Sequence, residues 1–192
     1  INGTELTLNP DLHFYGDIEI LVIVTDGDLS DEQNFVLSVL PVNDPPVIEL
    51  IENQIVNEDE IFTYELSGSD VDGDNLIFTA TDGDSNFFID GNVLTVYPTQ
   101  DFNGDIIFDV SVTDGEYEDS TSFTLTVLPI NDEPILEAIP NQIINEDGVL
   151  EYTLSAYDVD GDDLIFSASV DGNAAVDVNG TSLTVAPDAD WF

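Results

Sequence analysis

Lysine and arginine are missing from all 192 residues, as are cysteine and methionine, and there is a single histidine. With 42 aspartates and glutamates unopposed, the formal net charge is -42. Nucleic acid is excluded as a partner, because nothing can neutralise phosphates or release their counterions. Attraction to an anionic membrane fails for the same reason, and no apolar run approaches the roughly 18 residues of a membrane span. Without thiols there is no disulfide framework and no thiolate metal site. Enzyme chemistry finds little support either: there is no cysteine nucleophile, no lysine for a Schiff base or phosphate loop and no arginine clamp. Carboxylate pairs of the glycosidase kind stay compatible with the composition. The N-terminus lacks the basic region of a signal peptide. Cations are the natural partners of such a chain.

Charge of this density usually keeps a chain unfolded. Here Leu, Ile, Val and Phe number 66 of 192, well above the roughly 20% below which a core rarely forms. A folded protein is expected, provided that its carboxylates are screened.

The sequence repeats. "PVNDPPVIELIENQIVNEDE" from Pro41 returns as "PINDEPILEAIPNQIINEDG" from Pro129, an offset of 88 residues, with 24 of 40 positions identical between 41–80 and 129–168. The same offset carries "FYGDIEILVIVTDGD" from Phe14 onto "FNGDIIFDVSVTDGE" from Phe102, with 20 of 39 identical between 6–44 and 94–132. Three segments follow: residues 1–43 as the tail of one repeat, 44–131 as a complete repeat, and 132–192 as the front of the next. The closing "DADWF" breaks off in mid-pattern, so a longer tandem array is expected, extended and quasi-one-dimensional.

Within the complete repeat, apolar residues alternate with polar ones, the mark of half-buried strands. Phe62, Tyr64 and Leu66 share a face, as do Leu76, Phe78 and Ala80, then Leu94 and Val96, then Ile106 to Val112, then Phe123, Leu125 and Val127. Turn signals separate these runs: "NEDE", "SDVDGDN", "TDGDS", "DGN", "DFNGD" and "TDGEYED", where Gly or Asn can supply positive φ. With one strand from Val47 to Val56 and a short one near Phe87, seven strands are expected. The fold class is all-β, a tandem series of seven-stranded immunoglobulin-like β-sandwiches.

Successive strands of a sandwich run up and down, which sorts the acidic turns to opposite ends. Glu58, Asp59, Asp101 and Asp105 should therefore face the linker residues Asn131 and Asp132 and the loop acids Asp158, Asp160 and Asp162. Likewise Asp17, Asn43, Asp44, Asp70, Asp72 and Asp74 should converge at the preceding linker. Two carboxylates about 5 Å apart repel by about 3 kcal/mol at an effective dielectric of 20. Coordination of Ca²⁺, which takes six to eight oxygens, relieves that repulsion.

The linker "VNDPPV", then "NEDE", then "SDVDGDNL", resembles the interdomain calcium pattern of cadherins. With "FNGD" and "VTDG" added, the whole chain closely resembles the bacterial cadherin-like tandem repeats of giant surface and RTX-type adhesins. The resemblance implies an extracellular, calcium-rigidified stalk on the bacterial cell surface, serving cell adhesion. It carries ligand roles to Glu58 and Glu146, to Asn43, Asp44, Asn131 and Asp132, and to Asp70, Asp72, Asp158 and Asp160. The mid-domain glutamate motif of cadherins is missing here, with Asp17 and Asp105 as substitutes.

An EF-hand reading of "DVDGDN" fails, since Asn75 stands at the sixth loop position and Thr81 at the twelfth. The plain alternative is turn chemistry, because Asp, Asn and Gly are good turn formers. Two other functions compete: a module recognising glycans or a protein partner, and acid enrichment for a saline habitat without specific ion sites. His13 aligns with Asp101 and Asp190 and reads as a surface loop residue. The sequons at Asn2 and Asn179 read as hairpin turns rather than glycosylation sites. Leu21 and Ile23 fall on an outward strand face where the next repeat has Asp109 and Ser111, which suggests contact with another copy in a fibre. The expected partners are calcium ions, neighbouring repeats and such copies.

Overall fold

In the computed structural model, residues 5–82 and 86–189 are described. Asn2, Asp190 and the middle of the "TDGDS" turn lie outside the described residues. Among the described residues all regular structure is strand, and the chain divides into two compact units, 1–127 and 128–192.

Unit 1 opens with a hairpin of β1 (Gly16–Thr25) and β2 (Ser30–Val39), a two-stranded sheet of its own. The complete repeat follows as β3 (Val47–Ile48), β4 (Gln54–Asn57), β5 (Phe62–Glu65), β6 (Gly68–Ser69), β7 (Ile77–Thr81), β8 (Asn86–Asp90), β9 (Val93–Tyr97), β10 (Gly104–Thr113) and β11 (Glu118–Leu128). A four-stranded sheet in the order β4-β11-β10-β7 packs against a three-stranded sheet β5-β9-β8, and β3 pairs with β6. This is the expected Ig-like sandwich, with nine strands where seven were expected: Gly68–Ser69 forms a short strand of its own, β6, and the single strand expected from Val47 to Val56 is two. Ile51, buried between them, turns the chain inward. Across the gap Glu49 N–H donates to Ser67 O at 2.9 Å, and Asn53 Oδ1 accepts the Thr124 N–H at 2.9 Å. A side chain thus satisfies backbone that a continuous strand would have paired.

The core comes from the inward positions that the alternation marked. Leu66, Leu94, Val96, Phe108, Val110, Val112 and Leu125 are fully buried. Phe108 stacks on Phe123 at 5.4 Å between centroids and meets Phe87 edge-on at 5.4 Å, geometries that favour aromatic pairs beyond their area. Ten residue pairs join β10 to β11, with Phe108 opposite Phe123.

Unit 2 holds β12 (Ile135–Leu136), β13 (Leu150–Thr153), β14 (Ala156–Tyr157), β15 (Ala174–Asn179) and β16 (Ser182–Pro187). The sheet β13-β16-β15 repeats β5-β9-β8, and β12 with β14 repeats β3 with β6. Gly180, at φ 61°, makes the left-handed turn after Asn179, in line with a turn role for that sequon.

Candidate metal centre

The loop "SDVDGDN" is built around Asp70. Its Oδ1 accepts backbone N–H groups of Asp72 (2.8 Å), Gly73 (3.0 Å) and Asp74 (3.3 Å), the self-capping that Asp offers a turn. Gly73, at φ 80°, permits the reversal. Asp72 in turn reaches the linker, its Oδ2 accepting the Asp44 N–H at 2.8 Å. Asp44 Oδ2 lies 2.7 Å from His13 Nδ1. Beside it, Asn43 Nδ2 donates to Asp114 Oδ2 at 2.8 Å. The linker Asn-Asp is thus clasped on both sides, in a hydrogen-bonded chain that links Asp44, Asp72, Asp70 and the Asp74 N–H, with Asn43 alongside and Asp17 not part of it.

Asp114 is the residue that sequence reasoning missed. It opens the "TDG" turn, where its Oδ1 accepts the N–H groups of Glu116 and Tyr117, both at 2.7 Å. The Tyr117 N–H, with that of Glu116 and the Asn43 amide, holds its carboxyl below the usual carboxylate range against an opposing push from burial. Asp26, 88 residues earlier, is lowered by the equivalent N–H groups of Leu29 and Asp28. The signal was the recurrence of "TDG" itself, read only as a turn. Asp119 was missed too: its Oδ2 accepts the Ile48 N–H at 3.0 Å.

One atom in this loop is left over. Asp70 Oδ2 is buried and has no hydrogen-bond partner, which is costly for a carboxylate unless a cation answers it. Unit 2 repeats the clasp: Asp160 Oδ2 accepts the Asp132 N–H at 2.7 Å, and Asp158 Oδ1 accepts those of Asp160 (3.0 Å) and Asp162 (3.2 Å). A cavity of about 470 Å³ there is lined by Asn131, Asp132, Asp158 and Asp162 among apolar neighbours. Within neither unit do three acid or imidazole ligand atoms lie within 4.8 Å of one another, among the described residues. The acids gather around shared backbone donors, so an ion there would draw further oxygens from amides, carbonyls and water.

The remaining expected ligands sit differently. Asp17, on β1, accepts Ser38 Oγ at 2.6 Å, and Asp105, on β10, accepts Thr126 Oγ1 at 2.7 Å. Both are cross-strand carboxylate–hydroxyl pairs on exposed faces. Glu58, after β4, is 3% exposed, whereas Glu146 is exposed. Asp59 Oδ1 accepts the Asp101 N–H at 3.2 Å. Asp101 and His13 share a left-handed backbone, φ 57° and 59°, which Asp and His tolerate better than most residues. Their interchange across repeats thus has a backbone reason, and His13 is an exposed loop residue, as expected.

Residues 43–127 match the family model of the bacterial Ig domain. That Ig-like segment runs from the linker asparagine to the end of the core strand β11, and so includes the clasp of unit 1. Among solved structures, extracellular cadherin domains 1-4 of protocadherin gamma B7 are 16% identical over 91% of this chain and 49% of that one, with a TM-score of 0.47. Human protocadherin-24 is 11% identical over 77% of this chain and 79% of that one, TM-score 0.41. An endo-fucoidan hydrolase of glycoside hydrolase family 107 is 18% identical over 92% of this chain, TM-score 0.38, and the chain spans 30% of its length. No curated protein matches the chain. Among the described residues no helix is long and apolar enough to cross a membrane.

Proposed function

We propose that the chain is a non-enzymatic, calcium-dependent structural repeat of a secreted or cell-surface bacterial adhesin or filament. The observation that carries this reading is the orphaned, buried Asp70 Oδ2 in a loop that also fastens the linker through Asp72 and Asp44. A hard cation at that oxygen offsets its desolvation and the repulsion of the neighbouring acids, and stiffens the linker in one step. Recurrence of the clasp 88 residues on, at Asp132, Asp158 and Asp160, suits a stalk of like modules better than one active site. Ligand roles for Asn43, Asp44, Asp70, Asp72 and Asp74, and for Asn131, Asp132, Asp158, Asp160 and Asp162, belong to this proposal. So do Glu58, Asp59 and Glu146.

The test is thermal unfolding of the full chain in chelator, in Ca²⁺ and in matched Na⁺. A ligand that binds only the folded state adds about 2.7 kcal/mol per site at a hundredfold excess over Kd, so the melting temperature should rise with Ca²⁺. No rise discards calcium; an equal rise with Na⁺ at the same ionic strength favours general screening in a saline habitat instead.

A further inference from the structure

The outer face of the sheet β5-β9-β8 carries two aromatic rings that the core does not use. The inward positions of these strands are filled by Phe62, Leu94, Val96 and Phe87, and alternation sends Phe88 on β8 and Tyr97 on β9 to the other side. Phe88 stands opposite Thr95, which makes Tyr97 its diagonal neighbour across the ladder, within reach of an aromatic side chain. The two rings stack, 6.1 Å apart between centroids and 22° from parallel, yet remain 49% and 36% exposed. Thr95, on the same face, is only 9% exposed, so its neighbours lie over it rather than standing clear of the sheet.

The pair belongs to one repeat. Unit 2 has the same three strands in the same register, Val176 opposite Val185 as Phe87 is opposite Val96. There the two outward ring positions are Asp177 and Ala186, and in the first repeat Asn9 stands where Tyr97 does. A ring that the sandwich needed would recur with it. The rim of the face offers acceptors: Glu65 and Asp90 both lie opposite Val93, one on each neighbouring strand, and both are exposed.

We propose that this face binds a neutral, β-linked glycan of gluco-configured pyranoses, laid along Phe88 and Tyr97. Equatorial hydroxyls leave C–H groups on the flat sides of such a sugar, and these slightly positive groups suit the negative face of an aromatic ring. The hydroxyls around its edge are donors, for which the carboxylates of Glu65 and Asp90 are acceptors only. Phosphorylated, sulfated and uronic glycans are repelled, because no lysine or arginine answers their charge. A second copy of the chain suits the face poorly, since each copy carries a charge of -42 and would set this acidic rim against its own kind. Three strands spaced by about 4.8 Å make a face about 10 Å across, enough for a single flat glycan chain. The face lies apart from the linker clasp, so it stands whether or not calcium fills that site.

Calorimetric titration of the full chain in Ca²⁺ with cellohexaose, with N-acetylchitohexaose and with heparin reads the outcome. At least one neutral hexasaccharide should bind, and heparin should not. Phe88→Ala and Tyr97→Ala should each weaken binding by about tenfold or more, the scale of losing one ring from a stack. Tyr117→Ala, which removes an exposed ring on the β10–β11 turn, should leave it unchanged. Near-ultraviolet circular dichroism of the Phe87–Phe108–Phe123 cluster reports whether each variant keeps its core. Tyr97→Leu, which retains apolar contact but no ring, carries the test if the alanine variants melt early. Absence of binding by both neutral hexasaccharides overturns the proposal, as does binding that heparin matches or that the Phe88 and Tyr97 substitutions leave intact. Sedimentation without glycan should show a monomer; a mass that grows with concentration and that Phe88→Ala abolishes would give the face to a second copy and overturn it too.

Discussion

His13 Nδ1 sits 2.7 Å from Asp44 Oδ2, which places the one basic side chain of the protein on the linker aspartate. In the next repeat the corresponding residues are Asp101 and Asp132, two acids. The first linker aspartate therefore has an imidazole nitrogen beside it where the sequence of the next repeat offers a second carboxylate. His13→Asp should make it behave like its successor: the melting temperature in chelator falls, and the gain on adding Ca²⁺ grows. His13→Asn, which tolerates the same left-handed backbone, should change stability by less than about 1 kcal/mol, as expected for an exposed pair.

The depressed carboxyl of Asp114 gives a pH signature. Its folded pKa lies below its unfolded value of about 3.9, so its contribution is full above that value and disappears as pH falls through the folded pKa. Asp114→Asn should thus be less stable than the parent near neutrality, with the gap narrowing below about pH 4. Denaturant titrations at several pH values measure this; a gap constant with pH would remove the carboxylate from the account.

Asp70 has two separable duties. Asp70→Asn keeps an oxygen for the turn while removing the charge at the orphaned position, so it should lower Ca²⁺ affinity at least tenfold and leave the chelated protein nearly as stable. Asp70→Ala also strips an acceptor from three backbone N–H groups, costing about 1–2 kcal/mol even without calcium. Calorimetric Ca²⁺ titration paired with chelated melting curves separates the two.

Phe108→Ala should cost about 3–5 kcal/mol, since the ring is fully buried between Phe87 and Phe123. Urea unfolding of the full chain measures it.

The sandwich was legible because alternation and turn chemistry are local: Phe62, Leu94, Phe108 and Phe123 each announce an inward position two residues from the next. The break between β3 and β4 was not, because "IELIENQIV" alternates well enough to pass as one strand. Only packing shows Ile51 buried where the chain changes sheets. At the linker, the convergence of Asn43, Asp44, Asp70 and Asp72 followed from turns sorting to one end. Asp114 escaped because its turn role explained it fully, and a side chain with two oxygens can serve a turn with one and the linker with the other. The pairing of Asp17 with Ser38 and of Asp105 with Thr126 was not legible, because neither partner is visible without the register.

The change of sheets between β3 and β4 also decides how the module answers a pull. Tension applied through the linker at Pro46 loads two rungs shared with β6, then the buried Ile51, and then β4 alongside β11 in the four-stranded sheet. The load is therefore handed from the small β3–β6 pair to the four-stranded sheet rather than carried by one continuous strand.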